Sequence, residues 1–181
     1  MCIRDRLVGM HNVANICAAA TAVYDLVDKD DIKEVVTTFG GVEHRMELVR
    51  TINNVKWYND SIGTSPSRTI AGLKSFNKKV ILIAGGYDKK VSFDDWAEAF
   101  GDKVKCLVLL GQTAEQIADT VKKHGFTNII FTESLKEAVD ECAKNAKPGD
   151  AVLLSPACAS WGMFDNYEQR GDMFKEYVRN L

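Results

Sequence analysis

Four short stretches of this chain are apolar almost without interruption: Val80-Ile81-Leu82-Ile83-Ala84, Cys106-Leu107-Val108-Leu109-Leu110, Asn128-Ile129-Ile130-Phe131 and Ala151-Val152-Leu153-Leu154. Continuous rather than alternating runs mark strands covered on both faces. Between them, helical spacing predicts segments at 66–76, 93–101, 113–124 and 134–146, with a last helix near 164–180. Strand–helix alternation of this kind predicts an α/β domain with a mostly parallel, doubly wound sheet. The loops leaving the strand C-termini then share one edge, where ligands bind.

The first forty residues follow another pattern. Residues 11–27, rich in Ala, Val and Leu, predict a buried helix capped by Asn12 or its neighbour, and 29–38 a more polar helix stopped by Gly40-Gly41. Two such helices cannot enclose a core, so 7–41 reads as the end of a truncated domain. Residues 1–6 resemble neither a signal nor a transit peptide and read as an artefact. After the glycines, Met46 to Asn53 alternates, Asn53-Asn54 is a turn signal and Val55 to Tyr58 a second strand. Together they predict a β-hairpin opening a domain over 42–181.

Composition narrows the function class. With 46% hydrophobic and 27% charged residues in 181, the chain reads as globular. Lys and Arg number 23 against 25 Asp and Glu, a net charge of −2, which leaves no basic footprint for nucleic acid or an anionic membrane. No apolar run is long enough to span a bilayer. Cys2, Cys17, Cys106, Cys142 and Cys158 are odd in number and form no C-x-x-C, which fits a reducing cytoplasm better than disulfides or zinc. Cys158, in a polar loop with no base near it in sequence, reads as a packing residue.

The candidate chemistry sits in the loops. Those at the strand ends begin Gly85-Gly86-Tyr87-Asp88-Lys89-Lys90, Gly111-Gln112-Thr113, Thr132-Glu133-Ser134 and Ser155-Pro156-Ala157-Cys158-Ala159-Ser160. Neither G-x-G-x-x-G nor G-x-x-x-x-G-K-[ST] occurs, so the 181 residues hold no dinucleotide fingerprint and no P-loop. Ser65-Pro66 predicts a helix start, with Thr64 at its positive end. Asp60, following a strand, either accepts from a sugar hydroxyl, orients a metal-bound water or, with Thr64, closes a loop. His44-Arg45 is either solvated linker or a nucleotide clasp between domains. His11, Asn12 and Asn15 share one side of a helix start; the amides suit a purine edge or a cap. Arg170 reads as a surface or interdomain residue.

Taken in order, Gly9-Met10-His11-Asn12-Val13-Ala14-Asn15, Glu43-His44-Arg45-Met46-Glu47, Tyr58-Asn59-Asp60-Ser61 through Thr64, Gly85-Gly86 through Lys89, and Leu154-Ser155-Pro156-Ala157-Cys158-Ala159-Ser160 resemble the Mur ligases. The Ser-Pro-Ala-Cys-Ala-Ser loop with Glu168-Gln169-Arg170-Gly171 downstream is the most specific part, and points to the branch that adds D-glutamate. The resemblance covers 7–181. It implies the last two helices of a central ATPase domain followed by a whole C-terminal Rossmann-like domain.

The activity so implied is cytoplasmic and belongs to peptidoglycan synthesis. A monomeric enzyme uses ATP and Mg2+, held mainly by residues beyond these, to activate UDP-N-acetylmuramoyl-L-alanine as an acyl phosphate, which D-glutamate then attacks. By resemblance His11, Asn12 and Asn15 belong to the nucleotide site, with the two asparagines facing adenine, Arg45 the phosphates or ribose, and Asp60 the ribose. Thr64, Lys89, Ser160 and Tyr167 hold the D-glutamate carboxylates, Trp161 lending its backbone. Ile62 stands where some members carry lysine, and Tyr87-Asp88 where some carry Asp-Gly. A folylpolyglutamate synthase-like ligase and a stand-alone α/β ligand-binding module are the alternatives.

Overall fold

The structure, a computed structural model, describes residues 10–101 and 103–181, with only the backbone of Met10 and His11. The reading of residues 1–6 therefore lies outside the described residues. The chain divides into two compact units, up to Glu43 and from His44 onward.

In the first unit, α1 (Met10–Val23) and α2 (Lys29–Thr38) are joined by a turn. Asn12 is the third residue of α1 rather than its cap. The helix ends at Val23, four residues early, because the chain must turn for Asp28 to cap α2 by accepting from the Asp30 N–H at 3.3 Å. The expected burial of α1 is not found: its described side chains are half-buried or exposed, and α2 buries none. Two short helices offer no third layer to cover an apolar face.

The second unit is a six-stranded sheet. Its strands are β1 (Glu47–Ile52), β2 (Val55–Asn59), β3 (Val80–Ala84), β4 (Val104–Leu109), β5 (Ile129–Phe131) and β6 (Ala151–Leu154). The spatial order is β1-β2-β6-β3-β4-β5; all neighbours run parallel except the β1–β2 hairpin. Asn53 and Asn54 both take positive φ, 50° and 62°, the two-residue turn that matches strand twist. The helices are α3 (Pro66–Leu73), α4 (Asp94–Glu98), α5 (Ala114–Lys123), α6 (Leu135–Asn145) and α7 (Tyr167–Arg179).

Central strands are buried along their length, as the continuous apolar runs require. On one face Ile81, Ile83, Val108, Val152 and Leu154 pack with Leu135, Val139 and Cys142 of α6 and with Phe174 and Val178 of α7. On the other, α3, α4 and α5 pack in succession. Phe93, Trp96, Phe100 and Phe126 form a chain of rings there, with centroids 5.8, 4.8 and 5.2 Å apart.

Register fixes the functional edge. Asn59, Leu154 and Ile83 stand abreast at the ends of β2, β6 and β3. The ladder runs one residue further: the Asp60 N–H donates to Leu154 C=O at 2.8 Å and the Ser155 N–H to Ile83 C=O at 3.2 Å. Everything following these three strands emerges from one line.

Candidate functional site

Three loops leave that line and are fastened to one another. The Ala157 N–H donates to Gly63 C=O at 2.9 Å, tying the β6 loop to the β2 loop. Gly85 N–H donates to Pro156 C=O at 2.9 Å and Tyr87 N–H to Ala159 C=O at 3.0 Å, tying it to the β3 loop. Thr113, after β4, closes the far side: its N–H donates to Gly86 C=O, and its hydroxyl accepts from the Gly86 N–H, both at 3.1 Å.

Such close approach needs missing side chains. A Cβ on Gly63 would lie 2.7 Å from both Asp60 Oδ2 and Ser155 Oγ. One on Gly86 (φ 147°) would overlap the Ala159 carbonyl oxygen. The Gly-Gly pair after β3 therefore lets two loop backbones meet, where the sequence showed only an incomplete phosphate motif.

Beneath the loops is a buried polar network. Asp60 is 5% exposed; its Oδ1 accepts from the Met46 N–H at 3.2 Å and its Oδ2 from the Ser155 hydroxyl at 2.7 Å. Ser155 Oγ also lies 3.0 Å from Thr69 Oγ1. Burial pushes the Asp60 carboxyl up to about 6, against the downward pull of the Ser155 and Met46 hydrogen bonds. The carboxyl is thus engaged inside the fold and closes the loop.

That shift has a measurable consequence. The folded protein holds the Asp60 proton up to about pH 6 and the unfolded chain only to 3.8. Between those values the folded state binds more protons, so stability falls as pH rises and is flat above. We expect Asp60→Asn, which Ser155 can accommodate by turning its proton to Thr69, to remove this slope. Urea unfolding at pH 4.5 and 7 checks it: the variant should gain about 2 kcal/mol on wild type across that interval. Parallel profiles would count against a raised carboxyl.

The residues expected around D-glutamate come together here. The Lys89 ammonium donates to the Thr64 carbonyl, joining the β3 and β2 loops. Ser160 is buried, and its carbonyl accepts from the Met163 and Phe164 N–H groups at 3.3 and 3.0 Å. Trp161 is 58% exposed and meets the Tyr87 ring edge-to-face at 5.5 Å. Tyr167 opens α7; its carbonyl accepts from the Ser61 hydroxyl at 2.7 Å, and its ring stands edge-on to His44. Ser65 occupies the cap position of α3, but its hydroxyl lies 3.3 Å from Ser67 Oγ and bonds no N–H.

The residues expected around the nucleotide are divided between the two units. Asn12 and Asn15 lie one turn apart on α1 of the first unit, Asn15 exposed, and the His11 side chain is outside the described residues. Arg45 is exposed in the turn before β1. His44 is not solvated linker. It is buried, 3.0 Å from Asn59 Nδ2 through Nδ1 and 3.8 Å from Asp172 through Nε2. Cys158 is buried, within 3.3 Å of Thr113 Oγ1, and its thiol is pushed up by that burial. Such a thiol is inert, as a packing residue should be.

Arg170 departs furthest from expectation. Far from the surface, it is 2% exposed. Nε donates to Ser61 Oγ at 3.0 Å, Nη2 to Ser61 C=O at 2.9 Å and Nη1 to Cys158 C=O at 3.3 Å. The signal was present in the sequence: Arg170, Phe174 and Val178 recur at four-residue spacing on the face that α7 buries.

The family model described as Mur ligase, glutamate ligase domain matches residues 44–158. The chain belongs to the Mur ligase family. A relative named UDP-N-acetylmuramoylalanine–D-glutamate ligase, from Lachnospira eligens, is 56% identical over 176 residues, 97% of this chain and 39% of that protein. Another of the same name, from Acetivibrio thermocellus, is 55% identical over 96% of this chain and 39% of its own length. This Mur ligase chain thus spans about two fifths of the curated relatives it matches.

Solved structures agree on the fold. The UDP-N-acetylmuramate–alanine ligase of Thermotoga maritima has a TM-score of 0.72 at 19% identity, covering 96% of this chain and 39% of that one. A folylpolyglutamate synthase of Mycobacterium tuberculosis, complexed with ADP and AMPPCP, has 0.67 at 14%, covering 93% and 41%. At such identities the likeness is one of fold. Among the described residues of this Mur ligase no helix is long and apolar enough to cross a membrane.

Proposed function

We propose that this chain is the D-glutamate-binding part of an ATP-dependent ligase that joins D-glutamate to UDP-N-acetylmuramoyl-L-alanine in peptidoglycan synthesis. The observation that carries the reading is the fastening of the β2, β3 and β6 loops, which presents Thr64, Lys89, Ser160 and Trp161 on one edge. A dicarboxylate calls for a cation, hydroxyls and backbone N–H groups, and this edge is made of them.

In the reaction so assigned, the substrate carboxylate takes the γ-phosphoryl group of ATP, releasing ADP and forming an acyl phosphate. The D-glutamate amine attacks its carbonyl, the amide forms and phosphate leaves. Lys89, Thr64, Ser160, Tyr167 and the Trp161 backbone orient the two carboxylates so that the amine faces the acyl group. Arg45, exposed beside the start of β1, is assigned to the nucleotide, as are His11, Asn12 and Asn15. Asp60 anchors the β2 loop through both its oxygens, and its assignment to the ribose rests on the resemblance alone. The strand-end edge offers hydroxyls, amides and a lysine rather than a set of free carboxylates. Mg2+ is assigned mainly to residues beyond these 181, and this edge takes no part in holding it.

The test is ADP release by the longer ligase carrying these residues, dependent on both UDP-N-acetylmuramoyl-L-alanine and D-glutamate. Turnover of a folate in place of the UDP-sugar would move the assignment to a folylpolyglutamate synthase. Residues 1–181 alone, having no P-loop, are expected to release no ADP with either substrate pair. Release by the 181 residues would overturn that expectation.

A further inference from the structure

Arg170 is a buried cation without an anion. Its three hydrogen bonds all go to neutral oxygens, of Ser61 and Cys158, and no described carboxylate pairs with it. Buried charges are ordinarily paired, because desolvating a lone one costs several kcal/mol. Here the cost is met only in part: burial lowers the Arg170 guanidinium to about 10, which leaves it cationic at neutral pH. A positive charge kept unneutralised inside a fold acts on whatever anion comes near.

What comes near is set by its partners. Nη1 holds the Cys158 carbonyl, two residues before Ser160, while Nε and Nη2 hold Ser61, three residues before Thr64. The guanidinium therefore clamps the two loops from below, at the bases of the segments that carry the assigned carboxylate ligands. The Cys158 thiol feels the positive charge of both Arg170 and Lys89. Of these two cations Lys89 is exposed and Arg170 buried.

We propose that Arg170 is a positioning residue of the dicarboxylate site, fastening the β2 and β6 loops while its uncancelled charge favours an anion at the Cys158–Ser160 segment. This rests on the D-glutamate reading above. It adds a buried cation to a site in which Lys89 is the one cation assigned to the carboxylates, and makes the preference for a carboxylate over its amide a shared property of the two.

Two replacements separate charge from hydrogen bonding. Arg170→Lys keeps the charge and loses the planar fork; Arg170→Gln keeps an N–H donor for the loop carbonyls and loses the charge. In the longer ligase, Arg170→Gln should raise the D-glutamate KM about ten- to a hundredfold with the ATP KM within about twofold, and Arg170→Lys should restore most of the loss. Equal KM values for the two variants, or a lower one for Gln, would reduce Arg170 to a loop clasp and overturn the proposal.

Lys89→Ala decides even if neither variant folds, because Lys89 is exposed and its loss leaves the core intact. With Arg170 in place, that variant should still prefer D-glutamate to its neutral amide, D-glutamine, by about tenfold in kcat/KM, and the further change Arg170→Gln, where it folds, should remove the preference. Equal use of the two by Lys89→Ala alone would overturn the proposal. A wild-type ligase that does not use D-glutamate at all would instead refute the functional reading, before any Arg170 variant is made.

Discussion

Gly85→Ala is expected to cost the second unit about 4 kcal/mol. A Cβ at this position would overlap the Leu110 carbonyl oxygen, with Leu110 N only 3.3 Å away, so the obstacle is backbone and cannot rotate aside. The residue also takes φ +109°, outside the regions open to alanine. Overpacking and positive-φ strain each contribute about 1–3 kcal/mol, and the Leu110 backbone on one side leaves no small shift that would relieve both. Gly125 provides the comparison: its φ is +82°, but nothing lies within 4 Å of its Cβ position. Gly125→Ala should cost only the strain, about 1–2 kcal/mol. Urea unfolding of both variants checks the difference, and equal losses would mean that the β3 loop yields more easily than its contacts indicate.

The sheet was legible because its strands are buried on both faces and so are written as continuous apolar runs; Val80–Ala84 and Ala151–Leu154 coincide with the strands found. Strand order was not legible. Nothing local in Ala151–Leu154 says that β6 inserts between β2 and β3, and that insertion brings Ser155 to Asp60. The same limit applies at the site. Thr64 could be nominated as an anion seat from its place before a helix start, and Lys89 and Ser160 only through the family resemblance, whereas the engagement of Asp60 and the clamp by Arg170 depend on partners 95 and 109 residues away. The exposure of α1 was not legible for a different reason: an Ala- and Val-rich segment states that a surface wants covering, and not what covers it.

Lys89→Ala and Ser160→Ala should each raise the D-glutamate KM of the longer ligase about ten- to a hundredfold while leaving that for ATP within about twofold. The Lys89 ammonium rests on a backbone carbonyl and has no carboxylate partner among the described residues. It spends one of three donors there, and two remain for a ligand. The Ser160 hydroxyl bonds no described residue, although the Ser160 backbone is fixed by the turn leading to Phe164. Both groups are held in place and unspent, which is the condition for a pre-organised contact. A charge-assisted hydrogen bond to a carboxylate is worth about 1.5–3 kcal/mol, and the expected change in KM is that energy expressed as a ratio. Neither replacement removes core packing, so thermal midpoints should stay close to wild type. A rise in KM for both substrates would mean that the loops had collapsed rather than lost a contact. An unchanged D-glutamate KM in both variants would remove Lys89 and Ser160 from the site and move the dicarboxylate away from this edge.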